Sequence, residues 1–293
     1  MMSSSSVRGK IFDFSNNVFL IGLSIATLYP FLYVAFASVS DPAQFSQHRG
    51  ILWRPLGFTL ESYRLVFMNP MLVISYLNTL LYVVIGTALN MTLTILGAYG
   101  LSRNNAVFVN PLMMMIVFTM FFSGGLIPTY ILIDRLGMMD TIWAVILPNA
   151  VSTWNLIVMR TAFQQVPFSL QESAKIDGAN DFTVLFRLIL PLSKPVIAVM
   201  VLFYAVAHWN AYFNAMIYLR TRDLFPLQLI LREILITDSF DSMTTAFGGS
   251  EKYLIGETIQ YATIVVAILP ILFLYPFLQK YFVKGVMIGA IKE

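Results

Sequence analysis

Polar and apolar residues are segregated into blocks along this chain. Long apolar stretches run over Asn17–Val39, Val73–Leu101, Pro111–Ile133, Thr141–Met159, Val196–Leu219 and Thr258–Gln279, and none contains Asp, Glu, Lys or Arg. A helix crossing the hydrocarbon of a bilayer needs ~20 mostly apolar residues. Each charge at its centre costs ~2.5–3.5 kcal/mol on insertion scales. The pattern therefore predicts an all-α, polytopic membrane protein of about six transmembrane helices. Ser123, Gly124 and Gly125, followed by Pro128, interrupt the third stretch. Glycine pairs and proline break helices, so a bend or re-entrant corner is expected there. Pro30, Pro148, Pro270 and Pro276 are placed to kink other spans. No internal repeat is visible, and residues 1–293 read as a single transmembrane domain.

Composition agrees with lipid as the solvent. Charged residues make up 11% of the chain, against about 25% in a soluble domain. With no cysteine, disulfides, thiol nucleophiles and thiolate metal sites are excluded. The two histidines, His48 and His208, are far apart. With no carboxylate inside a span, neither a metal centre nor an acid–base pair is expected in the bundle. The first stretch follows Arg8 and Lys10, is longer than a signal-peptide core and lacks a clear small-residue cleavage site, which reads as a retained signal anchor. An even number of spans puts both termini on one side. The basic N-terminal pair and the Lys280/Lys284 flank assign that side to the cytoplasm. The loop of about residues 160–195 then faces the cytoplasm, and residues 40–71 and 220–257 face outward.

The cytoplasmic loop carries the most information. After Pro167, Ser169 stands three residues before Glu172, the spacing of a capping box. Gly178 is placed to end that helix in a left-handed conformation. A helix over about Leu170–Asp177 is predicted. A second, Phe182–Leu190, would be capped by Asp181 and terminated by Pro191. Two short helices joined at a glycine make a stiff, projecting knuckle. Local chemistry alone equally allows Glu172 to be a capping partner and Gly178 a helix stop, with no further role.

The run Glu172-Ser173-Ala174, then Gly178, then Ile189-Leu190-Pro191 resembles the EAA loop of bacterial ATP-binding-cassette importers, at the family's spacing and between the fourth and fifth spans. Ser173 replaces one alanine. The segments Phe122–Tyr130, Trp143–Asn155, Tyr204–Leu219 and Pro226–Leu235 extend the likeness to carbohydrate permeases of the maltose-transporter type, closest to the branch for complex or acidic oligosaccharides such as alginate or rhamnogalacturonan fragments. The resemblance implies a type I importer permease working by alternating access. Its coupling helix would dock on a cytoplasmic ATPase through Glu172, Ser173, Ala174, Asp177 and Gly178. It further implies a second homologous permease forming a heterodimeric pore, two ATP-binding subunits that hold ATP and Mg²⁺, and an extracytoplasmic solute-binding protein. No lysine of this chain is followed by Ser or Thr, so it has no P-loop of its own and no cofactor is expected on it.

Sugars are gripped by aromatic faces and by amide or hydroxyl groups. Trp209, Asn210, Tyr212 and Asn214 on the fifth stretch, with Asn155 on the fourth, are the candidate substrate pathway; Asn210 and Asn214, four apart, are expected to share a helix face. The same residues serve equally as interhelical hydrogen-bond glue. The alternative to an ATP-driven importer is a secondary sugar carrier without ATPase partners.

Overall fold

The computed structural model describes residues 7–103, 107–236 and 255–273. The described residues are mostly helical, with a loop over 48–60 and no strand among them, and they divide into two compact units.

One unit is built from residues 1–70 and 231–269. Helix α1 (Val7–Ser38) runs through Pro30 without interruption, and its most apolar window buries nothing against protein. A helix this apolar and bare of contacts within its own chain is one for lipid or another protein chain to cover. Only its last turns find protein partners. Ala37 packs with Phe45 of α2 (Pro42–Gln47) and with Leu52, against Tyr33, Phe36, Leu56 and Tyr261. Hydroxyls satisfy the loop backbone there: Tyr29 accepts from the Leu52 amide (3.0 Å) and Ser40 from the Leu56 amide (3.1 Å). Helix α3 (Glu61–Met68) is joined to Thr258 by a buried Ser62 hydroxyl (2.9 Å).

The other unit, residues 71–230 and 270–293, holds the elements of interest. Helix α4 (Pro70–Ser102) is long and apolar enough to cross a membrane. Helices α5 (Val109–Phe121) and α6 (Leu126–Arg135) meet at 111°. The corner is at Gly125, with a backbone φ of +83° that favours glycine, where the Ser-Gly-Gly run predicted it. Helix α7 (Ile142–Ile146) continues into a 3₁₀ turn at Leu147–Asn149, then meets α8 (Thr153–Gln164) at 53°. Pro148 and the Ser152 cap, which accepts from the Asn155 amide, cause that break.

Helix α9 (Phe168–Ile176) follows, then α10 (Asp181–Val184), a π turn over Leu185–Ile189 and α11 (Leu190–Leu192). Helix α12 (Lys194–Trp209) leaves this segment at 86° and is followed by α13 (Phe213–Tyr218). Helix α14 (Leu227–Ile236) begins with its Leu227 amide on the Thr79 hydroxyl (2.8 Å). Helix α15 (Ile255–Phe273) is the last described. Among the described residues, three helices are long and apolar enough to span, or up to six spans if each bent pair is one. The predicted end of the last stretch at Gln279, together with Pro276, Lys280 and Lys284, lies outside the described residues.

Two expectations are corrected. The fifth stretch is not one helix: α12 stops at Trp209 and α13 starts at Phe213, so Asn210 and Asn214 do not share a helix face. The Asn210 amide bonds back to the Val206 carbonyl (3.0 Å), a local bond that competes with helix continuation. Nor does Pro191 end the second loop helix. The wider π turn before it takes up the ring's missing N–H and its steric demand, and the helix runs on to Leu192.

Candidate functional site: the knuckle between the fourth and fifth spans

Helix α9 and the residues after it form the predicted knuckle, with different chemistry at its first turn. The N-cap is Pro167, and no side chain caps the helix. The backbone is already helical at Phe168, so Ser169 lies inside the first turn and the Ser169–Glu172 capping box does not form. The C-terminus does as predicted. Gly178 adopts φ +84°, its amide donates to the Lys175 carbonyl (3.0 Å), and the Ala179 amide donates to the Ala174 carbonyl (2.9 Å). These two bonds are a Schellman closure. Its apolar seal is present as well, since Ala174 and Ala179 both pack against the core of this unit.

The next helix starts at Asn180, whose side chain accepts from the Thr183 amide (2.8 Å). Asp181 is therefore not the cap. Its carboxylate instead meets Lys175 (3.1 Å) and Arg103 (3.2 Å). Adjacent Asn and Asp compete for the same cap, and only the register set by the Schellman turn decides between them.

The predicted contact residues separate by exposure. Glu172, Ser173, Asp177 and Gly178 are exposed, Ala174 is half-buried against the core, and Ile176 is 86% exposed. Ile176 is the most exposed large apolar side chain among the described residues. Sequence reasoning missed the brace: Gln171, the one buried residue of α9, accepts a hydrogen bond from Arg103, just beyond the end of α4. Arg160 of α8 donates Nε–H to the Leu101 carbonyl (2.8 Å), tying a third element into the same end. Beneath lie Tyr99, Met159, Phe163, Val184, Leu185 and Ile189 in one buried cluster. An inward-facing glutamine or a lone interhelical arginine carries no local sequence signature.

The candidate pathway residues are scattered by the α12–α13 break. Trp209 is buried, its ring edge-on to Tyr76 at 5.7 Å, and its indole N–H has no partner. Asn155 is buried in the first turn of α8. Asn210 and Tyr212 are exposed and Asn214 is half-buried. Other polar groups of the bundle act as glue: Asn78 donates to the carbonyls of Asp223 (2.6 Å) and Phe225 (3.1 Å), and Tyr204 hydroxyl meets Thr94 (2.7 Å) and the Ser152 amide (3.1 Å).

At the other end of this unit, Asp140 makes a clamp that the sequence did not disclose. It sits at φ +57°. Its carboxylate accepts from the Thr221 hydroxyl (2.6 Å) and from the amides of Thr221 and Arg220 (2.8 Å each). These bonds, the Thr221 hydroxyl foremost, hold the carboxyl below the usual carboxylate range. A lowered value favours the folded clamp above the unfolded pKa of about 3.9, and the benefit is lost as pH falls through the lower folded value. Amide exchange at Arg220 and Thr221, corrected for intrinsic pH dependence, should stay slow from pH 7 to about pH 4 and accelerate below it. In Asp140→Ala it should be fast throughout. Equal protection in that variant would show that the clamp does nothing.

A family model described as the binding-protein-dependent transport system inner membrane component matches residues 7–288. The polygalacturonan/rhamnogalacturonan transport system permease protein YtcP of Bacillus subtilis (strain 168) is 42% identical over 98% of this chain and 100% of its own length. Protein LplC of the same organism is 42% identical over 97% of this chain and 96% of its own. Among solved structures, a chain of a bacterial ABC transporter involved in the import of the acidic polysaccharide alginate superposes with a TM-score of 0.87 at 32% identity. The match covers 94% of this chain and 98% of that one. The chain therefore belongs to the binding-protein-dependent transport system inner membrane component family, and is a permease subunit of an ABC transporter, a transport component rather than an enzyme.

Proposed function

We propose that residues 1–293 act as one half of a heterodimeric importer pore, with both termini cytoplasmic, and that the α9 knuckle couples it to an ATPase. A second homologous permease, two ATP-binding subunits holding ATP and Mg²⁺, and an extracytoplasmic solute-binding protein complete the assembly. The observation that carries this reading is the knuckle itself. Its helix is closed by a Schellman turn and anchored through Gln171 to the end of α4, while Glu172, Ser173, Ile176 and Asp177 face outward. A short helix that must pass on displacement cannot fray, and this one is locked at its C-terminal turn.

The cargo we infer is an oligosaccharide, with acidic sugars favoured. The relative named for polygalacturonan/rhamnogalacturonan transport and the structure associated with alginate import support this class. Asn210, Tyr212 and Asn214, at the break between α12 and α13, offer amide and phenol groups for sugar hydroxyls. Trp209, packed edge-on with Tyr76, and Asn155, in the first turn of α8, are buried in this conformation.

Purification of this subunit from its native membrane tests the reading. An ATPase, a second permease and a binding protein should co-purify, and the sugar retained by the binding protein would name the cargo. A chain that purifies alone and carries sugar across vesicles without ATP would overturn it in favour of a secondary carrier.

A further inference from the structure

We propose that Arg103 is a positioning residue that makes the two loop helices and the second span move as one body. This rests on the coupling role of α9 and specifies the joint through which displacement enters the bundle. Three features converge on the guanidinium. One terminal nitrogen donates to Gln171 of α9, the other meets Asp181 of α10 at 3.2 Å, and the plane lies over the Tyr99 ring of α4, 5.1 Å from its centroid. The Arg103 side chain is only 10% exposed, while its partner Asp181 is 60% exposed. An ion pair with one wet partner is weak. The fork of donors and the ring beneath it, not the charge alone, therefore hold the joint.

Geometry also sets Arg103 apart from the other ties, the Ala174 and Ala179 packing and the Lys175 pair. Gln171 is the sole buried residue of α9, and Asp181 opens α10 on the far side of the Gly178 turn. Arg103 thus touches both arms of the knuckle across its hinge, and Lys175 reaches over the same hinge to Asp181 (3.1 Å). Without Arg103, α9 would swing about Gly178 while α4 stayed in place. A lysine supplies one point charge and no planar fork, so Arg103→Lys should not restore the joint fully.

The chain has no cysteine, so paired spin labels can be placed cleanly. Ser169 on α9 and Leu96 on α4 are both exposed. The doubly labelled Ser169→Cys/Leu96→Cys subunit would be purified with its ATPases and measured by pulsed dipolar spectroscopy, nucleotide-free and trapped with ATP and vanadate. With Arg103 present, one narrow distance distribution should persist in both states. Arg103→Ala should broaden it about twofold, as expected of a locally released segment, and shift it on trapping, with Arg103→Lys between. A residue that only stabilises the fold would lower the yield of complex and leave the distribution of assembled complex unchanged; that result overturns the proposal. If the unsubstituted subunit recruits no ATPase, the coupling reading falls and takes this proposal with it.

Discussion

Replacing Gly178 by valine should uncouple the transporter while leaving the subunit in the membrane. Gly178 holds φ +84°, and a β-branched residue is a genuine outlier there. The left-handed conformation costs an L-residue ~1–2 kcal/mol, which changes a local equilibrium by about 5- to 30-fold. The penalty falls on the turn that lets the Ala179 and Gly178 amides close α9, so its last turn frays. Within the chain itself a Cβ at Gly178 meets nothing within 4 Å. The cost is therefore conformational, with no clash to disturb the bundle, and membrane insertion should be normal. A valine side chain would also project into the space a docked partner must occupy. We expect ATP-dependent uptake to fall about tenfold or more on these figures, with normal amounts of subunit in the membrane. Gly178→Asn, which tolerates the same backbone conformation, should retain most of it. Unchanged uptake and ATPase association in the valine variant would refute the coupling role. A loss of the subunit from the membrane would assign Gly178 to folding.

The contrast between Gly178 and the residues around it shows which physics can be read from one sequence. Gly178 was legible because its role is local: a glycine after an apolar turn has few other uses. The spans were legible for a similar reason, since exclusion of charge from hydrocarbon acts on every residue of a stretch. The corner at Gly125 follows the same rule. What failed depends on register or on distance. Ser169 and Glu172 have capping-box spacing, yet the helix begins upstream at Phe168 and the box is swallowed. Asn180 and Asp181 are equivalent cap candidates until Gly178 sets the register. Arg103 and Gln171 are 68 residues apart, and their meeting is a property of the fold alone. Asn210 and Asn214 looked like one face because periodicity assumes an unbroken helix; the Asn210 side chain itself helps to end α12.

The largest folding defect should come from a single methyl group, Gly86→Ala. A Cβ at Gly86 would lie 2.4 Å from Nε2 and 2.5 Å from Cε1 of His208, so the ring would have to move. It has little freedom to do so. His208 is 8% exposed, and Asn90 bridges it to the backbone, turning its amide oxygen to Nε2 (3.0 Å) and its NH₂ to the carbonyls of Gly86 (2.8 Å) and Ala150 (3.2 Å). This knot joins α4, the segment between α7 and α8, and the end of α12. Overpacking costs about 1–3 kcal/mol, and each polar group left unsatisfied adds about 1–3 kcal/mol, with no water in hydrocarbon to replace the lost partner. The Gly86→Ala subunit should accumulate poorly and lose its thermal unfolding transition in detergent at markedly lower temperature. Truncating the ring removes the clash, so the same substitution in a His208→Ala background should cost clearly less than in the native sequence. That non-additivity is the signature of direct contact. Equal costs in the two backgrounds would mean that Gly86 and His208 do not touch, and would remove the steric reason for glycine at that point of the second span.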